Sequence, residues 1–372
     1  MDIFEELSVT RYINAHDTYT VYGGSRMAPE TLAAMAGAAA SFVDLEELQR
    51  KLGVAAAELT HNEAAYFTNG ASGALLTAAA VCMARGDAYR FARLPALAPG
   101  TKGEAVLLHC QHNAYDKAIE AAGAHVVAVG DADETLAFDL EGAINENTAA
   151  VFYFASTLYA RAAMPLEDVV RIAHAKGVPV VVDAAAQLPP VENLWRFTQM
   201  GADLAIFSGG KTLCGPQDSG LIVGRKDLIE DCIRFGAPAH GVCRSCKTSR
   251  EAMAGLYTAL KRYVALDHAQ NTQRLLALDE RLAEVIRQSG AGRAEIVPAG
   301  PVGQTYPRVF GYLTAPGAAR RVQAAMRRRR IYIGLEDAAN AIYCSPLNLT
   351  DGECGEVARA LAECLREEQE TP

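Results

Sequence analysis

From about residue 103 onward, the chain repeats one theme: a short apolar run, a turn, and an amphipathic stretch. Each run is rich in Val, Ile, Leu or Phe and is continuous rather than alternating, as expected of a strand covered on both faces. Alternating units of this kind predict an α/β fold with a mostly parallel, doubly wound sheet. The runs are Ala105 to His109, His125 to Val129, Ala149 to Ala155, Pro179 to Ala185, Leu204 to Phe207 and Gly220 to Val223.

The pattern changes after Arg250. Apolar residues recur on one helical face from Met253, and the periodicity continues towards Gln288, which predicts a long linking helix. Beyond Gly290, the turns, the strand-like Val309 to Thr314 and two helices indicate a small α+β domain. The length fits a large domain plus a smaller one. We expect an N-terminal arm over residues 1–48 that packs on the small domain, a large domain over 49–264, and the linking helix with the small C-terminal domain over 265–372.

Composition limits the expected partners and compartment. The formal net charge of −9 would repel a phosphate backbone, so nucleic acid is not an expected partner. The four arginines from Arg327 to Arg330 fit a solvated helix C-terminus better than an RNA contact. The chain does not begin like a signal peptide, and no segment approaches the roughly 20 apolar residues that span a bilayer. We therefore expect a cytoplasmic protein that does not bind membranes, with its nine cysteines reduced.

An acid and a lysine end two of the apolar runs. VPVVVDAAAQ carries Asp183, and LAIFSGGKTLCGPQDSG carries Lys211, 28 residues later. Open α/β sheets bind ligands at the carboxyl ends of their strands, so both side chains are expected at one site. Pyridoxal 5′-phosphate (PLP) needs such a pair, because a lysine amine forms a Schiff base with it and a carboxylate keeps its pyridine nitrogen protonated. Alone, each residue would be interpreted as a turn aspartate or a surface lysine, whereas the pair predicts a catalytic PLP site.

Other segments supply expected contacts to the cofactor. YFTNGASGALLTAAAVCMA predicts a strand, a loop over residues 69–73 and an alanine-rich helix, whose N-terminal amides would bind the cofactor phosphate. A hydroxyl three residues before the lysine lies in a glycine-rich turn and adds a phosphate contact. We also expect a small residue against the cofactor ring and a histidine stacked on its other face, although a histidine satisfied in a loop fits the sequence equally well. These expected contacts are Gly70, Ala71, Ser72, Ser208, Ala185 and His112.

Five stretches carry a resemblance to a known family. They are GGSRMAPETL, SFVDLEELQRKLG, AELTHNEAAYFTNGASGAL, FSGGKTLCGPQDSGLIVGRKDLI and SPLNLTDGECGEVARAL. Over nearly its whole length the chain resembles the family of selenocysteine synthase (seryl-tRNA selenium transferase) and D-glucosaminate-6-phosphate ammonia-lyase.

The resemblance implies the aspartate-aminotransferase-like fold of PLP-dependent transferases, fold type I. Lys211 would be the Schiff-base lysine and Asp183 the partner of the ring nitrogen. The 69–73 loop and Ser208 would contact the phosphate, and Gln217 of the GPQ sequence would be a further cofactor contact. The resemblance also implies a homodimer or higher homo-oligomer with an interfacial active site.

Family members carry a basic turn that resembles Arg244-Ser245-Cys246-Lys247, so Arg244 and Lys247 are expected to bind an anion or the substrate. Cys214 stands where several relatives have a basic residue, which leaves open whether the substrate is phosphorylated. Cys243 and Cys246 form a lone CxxC without further ligands at matching spacing, so we expect no metal.

The leading hypothesis is a PLP-dependent lyase of the ammonia-lyase or dehydratase type. It would carry out α,β-elimination on an amino acid or amino-sugar acid and give a 2-oxo acid and ammonia. A selenocysteine-synthase-like transfer on seryl-tRNA is the first alternative, although such an enzyme is expected to carry an added nucleic-acid-binding region. Racemase, aldolase and aminotransferase activities stay open, since they need the same geometry. A non-catalytic binding or assembly protein is the alternative of another class, and the retention of both Asp183 and Lys211 argues against it.

Overall fold

The computed structural model describes residues 2–370. The helices, in chain order, are α1 Ile3–Glu6, α2 Pro29–Ala39, α3 Leu45–Leu59, α4 Gly70–Ala84, α5 Ala88–Arg93, α6 Asp116–Ala121, α7 Ala137–Ala143, α8 Leu166–Ala175, α9 Asn193–Gln199, α10 Lys226–Phe235, α11 Arg250–Val264, α12 His268–Ser289, α13 Ala318–Arg328 and α14 Asp351–Glu370. The strands are β1 Ile13–Asn14, β2 Ala64–Thr68, β3 Glu104–Leu108, β4 His125–Val129, β5 Thr148–Phe154, β6 Val180–Asp183, β7 Leu204–Ser208, β8 Gly220–Gly224, β9 Gly292–Val297, β10 Arg308–Leu313, β11 Ile331–Tyr332, β12 Gly334–Glu336 and β13 Ala341–Cys344.

The described chain forms two compact units. Unit 1 comprises the residues up to Gly24 and those from Leu266 onward, and unit 2 comprises Ser25–Ala265. The expected arm over residues 1–48 is therefore divided, because residues 25–48 belong to unit 2. There α2 packs against α11, and Arg250 Nε at the start of α11 donates to the Ala38 carbonyl at 2.9 Å. The second boundary follows Ala265, next to the one expected after residue 264.

Unit 2 is built around a seven-stranded sheet in the order β2-β8-β7-β6-β5-β3-β4. Only β8 is antiparallel to its neighbours among these strands, so the prediction of a mostly parallel sheet is confirmed. Strand β6 shows why its apolar run is continuous. Val180 and Val182 pack into the core on one face and Val181 into the core on the other, all fully buried. A strand covered on both faces must be apolar at successive positions.

The expected single linking helix is wrong, because the chain forms two helices there. Helix α11 ends at Val264 in unit 2, and α12 begins at His268 in unit 1. Asp267 caps the second helix, since its Oδ1 accepts from the Gln270 amide at 2.9 Å. A capping aspartate satisfies an amide that a continuous helix would bond internally, and so it favours a new helix start at this position.

Unit 1 is a small α+β domain made from both ends of the described chain. An antiparallel sheet in the order β12-β13-β10-β9 packs with α12, α13 and α14 around one apolar core. The N-terminal segment joins this unit through β1, which pairs in parallel with β11. Within residues 2–370, no helix combines the length and apolar composition needed to cross a bilayer.

Helix α12 buries a carboxylate that makes the stability of unit 1 depend on pH. Asp279 is fully buried, and neither of its oxygens has a hydrogen-bond partner among residues 2–370. Burial raises its pKa from the ordinary 3.8 to about 8. Because the unfolded chain releases this proton more readily, the free energy of unfolding should fall as the pH rises from about 4 to about 8.

We predict that Asp279→Asn raises the thermal unfolding midpoint, and that it does so more at pH 8 than at pH 5. The amide keeps the shape of the side chain and removes the buried ionisation. Thermal unfolding of wild type and variant at both pH values tests this. Glu284→Gln removes an exposed carboxylate from the same helix and serves as the control. The same pH dependence in Asp279→Asn and wild type would contradict the assignment.

Candidate active site

Unit 2 brings the predicted acid, hydroxyl and lysine to one edge of its sheet. Asp183 is the last residue of β6 and Ser208 the last residue of the neighbouring β7. Asp183 lies opposite Ile206 on β7 and opposite Phe154 on β5. Lys211 follows in the turn after β7, and its charge acts on the Asp183 carboxylate. The carboxyl edge therefore holds the residue types that the sequence predicted there.

The Asp183 carboxylate lies in a poorly solvated environment. Burial raises its pKa, while the Ala185 amide, which donates to Oδ1 at 2.9 Å, and the Lys211 charge both act to lower it. A buried carboxylate gains from a cationic N–H donor. A protonated pyridine nitrogen is such a donor, so the environment of Asp183 fits the ring of PLP. The half-buried Ala185 lies directly beyond this acid.

The lysine turn is held by a residue that the sequence analysis did not single out. Ser25 Oγ donates to the Lys211 carbonyl at 2.7 Å, and the Ser25 amide donates to the Gly210 carbonyl at 3.0 Å. The Gln217 side chain is exposed, but its backbone packs closely against Gly210. A Cβ added at Gly210 would lie 2.4 Å from Gln217 Cα. The only available signal for Ser25 was its place in GGSRMAPETL, the first of the resembling stretches.

The N-terminus of α4 offers donors suited to an anion. Its first-turn amides, in Gly70, Ala71 and Ser72, have no intrahelical acceptor, and Asn69 at the N-cap makes no side-chain capping bond. Asn69 Oδ1 is also buried without a partner among residues 2–370. A rotated Asn69 amide would present its NH2 group to a bound anion. This cradle fits the phosphate of PLP.

The backbone at the start of α4 packs closely against strand β8 of the sheet. Gly220 on β8 lies between Ser208 and Thr68 in the strand register. A Cβ on Gly220 would lie 2.6 Å from the Gly70 carbonyl carbon and 2.6 Å from Thr68 Oγ1. Only glycine fits there without a backbone shift, so Gly220 brings the start of α4 and Ser208 to the same edge.

The loop after β3 carries His112 towards this edge. Gln111 Oε1 accepts from the Phe154 amide at 3.0 Å, and Phe154 is the register partner of Asp183. His112 follows directly, with an exposed ring whose Nδ1 forms an ion-pair contact with buried Asp116. The sequence analysis missed Asp116, although its i,i+4 spacing from His112 was available as a signal.

Tyr159 is a second residue that the sequence analysis missed. It lies in the loop after β5, and burial raises the pKa of its hydroxyl, with the Asp116 and Asp183 carboxylates adding to the effect. No local sequence pattern pointed to it, because its proximity to both acids depends on how three loops meet.

The expected anion binders Arg244 and Lys247 lie in and just after the turn Val242–Cys246, ahead of α11. Both are exposed, and within residues 2–370 no hydrogen bond or ion pair joins either side chain to the residues at the sheet edge. Their role stays a prediction. In the described part of the chain, no three His, Cys, Asp or Glu side chains are grouped to hold a metal ion.

We predict that Gly220→Ala weakens PLP binding about tenfold, or about 1.4 kcal/mol, because the added Cβ displaces the start of α4. Titration of the apoprotein with PLP measures the affinity. Gly142→Ala in α7 is the matched control, since a Cβ there meets nothing within 4 Å. Wild-type affinity in Gly220→Ala would mean that the helix N-terminus does not hold the phosphate.

Known enzyme sequences are similar to this chain over most of its length. Residues 114–297 match the family model of L-seryl-tRNA selenium transferase. D-glucosaminate-6-phosphate ammonia lyase from Salmonella typhimurium (strain 14028s / SGSC 2262) is 34% identical over 304 residues, covering 79% of this chain and 80% of that enzyme. A 5′-C-glycyluridine monooxygenase-decarboxylase from Streptomyces sp is 34% identical over 294 residues, covering 76% of this chain and 71% of that enzyme.

Solved structures show the same relationship. The structure of D-glucosaminate-6-phosphate ammonia-lyase matches with a TM-score of 0.87 and 30% identity over 100% of both chains. Serine palmitoyltransferase, solved with PLP, matches with a TM-score of 0.61 and 15% identity over 96% of this chain and 88% of that one, which shows the fold alone. The predicted aspartate-aminotransferase-like fold type I is confirmed.

Proposed function

The chain belongs to the PLP-dependent family of D-glucosaminate-6-phosphate ammonia-lyase and L-seryl-tRNA selenium transferase, and we propose that it is an ammonia-releasing lyase. Its substrate is an amino acid or amino-sugar acid that loses its α-proton and a β-hydroxyl. The enamine left by the loss of water then hydrolyses, so that a 2-oxo acid and ammonia are released. The observation that carries the proposal is the Asp183–Lys211 pair at one sheet edge, in a chain whose fold matches the ammonia-lyase throughout.

Bound PLP supplies an electron sink for the charge left when the substrate loses its α-proton. The Lys211 amine binds the cofactor and moves the proton at the substrate α-carbon. Asp183 holds a proton on the ring nitrogen, which a poorly solvated carboxylate does effectively. The amides of Gly70, Ala71 and Ser72 hold the phosphate together with the Ser208 hydroxyl. Ser25 fixes the backbone on which Lys211 depends.

The ammonia-lyase relative supports a small-molecule substrate with an amino-sugar-acid frame. Arg244 and Lys247 are exposed cations that a substrate carboxylate or phosphate would attract. We place the protein in the cytoplasm, and we propose a homodimer or higher homo-oligomer whose active site lies at the subunit interface, as the family resemblance implies.

Transfer to seryl-tRNA is the second candidate, and the family-model match over residues 114–297 favours it. The net charge of −9 works against binding a tRNA backbone. A screen of D- and L-amino acids and amino-sugar acids that follows released ammonia distinguishes the two activities. Submicromolar, salt-resistant tRNA binding without ammonia release would reverse their order. Racemases, aldolases and aminotransferases would act in the same screen without net release of ammonia.

We predict that Lys211→Ala abolishes the visible absorbance of lysine-linked PLP, because the Lys211 amine forms that bond. Absorbance spectra of purified proteins after PLP addition and desalting test this. Lys226→Ala, an exposed lysine at the start of α10, should keep the wild-type spectrum. Retention of the band in Lys211→Ala would end the assignment.

Asp183 should matter more for chemistry than for cofactor binding. We predict that Asp183→Ala keeps bound PLP but loses at least about a hundredfold in kcat, the scale on which one aimed electrostatic contact acts. Asp183→Glu should lose less, since the charge survives with altered reach. Steady-state kinetics at saturating PLP on the substrate found by the ammonia screen provide the measurement. Near-wild-type kcat in Asp183→Ala would contradict the proposed role.

A further inference from the structure

The loop from His109 to Asp116 is anchored next to the site by one buried side chain. Gln111 is almost fully buried, its Oε1 accepts from the Phe154 amide, and its backbone carbonyl accepts from Asn113 Nδ2 at 2.8 Å. Because Phe154 pairs with Asp183, this anchor fixes the loop one strand away from the acid. The backbone of the residue that follows, His112, is therefore held at the carboxyl edge by this anchor.

Asp116 is unusually deeply buried for a charged residue at the start of a helix. Its side chain is 0% exposed, although it stands at the first position of α6. Oδ2 contacts His112 Nδ1 and accepts from the Asn113 amide at 3.1 Å, while Oδ1 has no hydrogen-bond partner in the described chain. Burial raises the pKa of this carboxyl, opposed by the Asn113 amide and His112. Burying a carboxylate costs free energy. When its side-chain partner is an exposed histidine, this arrangement indicates a functional role for the histidine.

The contact settles the orientation of the imidazole. A carboxylate accepts a hydrogen bond, so Nδ1 must carry its proton towards Asp116. Nε2 then points away from the carboxylate, and the His112 side chain is 59% exposed. The same arrangement of a buried acid, an oriented histidine and a free second nitrogen is how proteins prepare a histidine for proton transfer.

The groups around this pair come from several elements. Tyr159 comes from the loop after β5, Glu120 acts on Asp116 from within α6, and Cys110 precedes the loop anchor. In addition to burial, the charges of Asp116 and Asp183 both act on the Tyr159 hydroxyl and raise its pKa.

We propose that Asp116 is a positioning residue that holds His112 so that its Nε2 gives a proton to the leaving hydroxyl of the substrate. This inference rests on the proposed elimination. The carbon–oxygen bond breaks with its electron pair on oxygen, the oxygen takes the proton from Nε2, and water leaves. Before this step the ring carries a proton on both nitrogens. After it, the ring is a neutral imidazole with Nδ1–H on Asp116, and it regains the Nε2 proton from solvent, which the exposed ring reaches. The stacking role expected for His112 does not require Asp116.

The first experiment observes the imidazole directly. Nitrogen NMR of the holoenzyme labelled at its eight histidines reports the tautomer of each ring, and the signal that is lost in His112→Phe assigns His112. At a pH high enough for the ring to be neutral, we expect the Nδ1–H tautomer in wild type and loss of that preference in Asp116→Asn. We expect no change in Glu120→Gln, which removes a carboxylate from the same helix without touching His112. Asn replaces a costly buried charge with a neutral group of the same shape, so the fold should persist. An unchanged tautomer in Asp116→Asn would overturn the proposal.

The second experiment separates proton transfer from ring stacking. His112→Phe keeps an aromatic ring but cannot transfer a proton. On the hydroxy substrate it should lose about a hundredfold in kcat with little change in KM and with PLP retained, and Asp116→Asn should lose at least about tenfold. On β-chloroalanine both variants should approach wild type, because chloride leaves without a proton.

Each remaining outcome is informative. Full activity of His112→Phe on the hydroxy substrate, or equal losses on both leaving groups, would overturn the proton-transfer role while the proposed lyase function stands. If wild type itself releases no ammonia from any substrate, the proposed function fails, and the proton-transfer role falls with it. The tautomer measurement still decides whether Asp116 positions His112.

Discussion

The active site depends on the pairing of β6 with β7. Because the two strands run parallel and in register, Asp183 and Ser208 finish at the same edge, and the turn that carries Lys211 opens beside the acid. Both faces of these strands are filled by apolar side chains, so polar chemistry can appear only where the strands end. The core that stabilises unit 2 and the chemistry at its edge are thus two consequences of one arrangement.

Buried carboxylates mark different roles in the two units. Asp183 and Asp116 lie at the carboxyl edge, each with a raised pKa and each beside a group that can exchange a proton, Lys211 or His112. Asp279 in unit 1 is buried too, but no hydrogen-bond partner faces it in the described chain, and its effect is a cost in stability. The neighbouring groups, and not the raised pKa, therefore distinguish the carboxylates of the two units.

The similarity to known enzymes constrains the cofactor chemistry of this chain more closely than it constrains the substrate. Two curated enzymes with different activities are each 34% identical to this chain, one an ammonia lyase and the other a monooxygenase-decarboxylase. Both names are compatible with a cofactor that stabilises negative charge, whereas the outcome depends on which groups surround the substrate. In this chain, His112, Asp116 and Tyr159 lie outside the cofactor motifs.

The amino-acid sequence by itself determined the parallel sheet, the acid–lysine pair and the helix N-terminus at Gly70, because each depends on a local period or a short spacing. Only the tertiary structure decided that residues 25–48 join unit 2, that α11 and α12 are separate, and that Asp116 and Tyr159 reach the site. Ser25 shows the reason, since it bonds to Lys211 across 186 positions of the chain. Contacts between distant segments leave no period in either one, and they arise when the core brings those segments together.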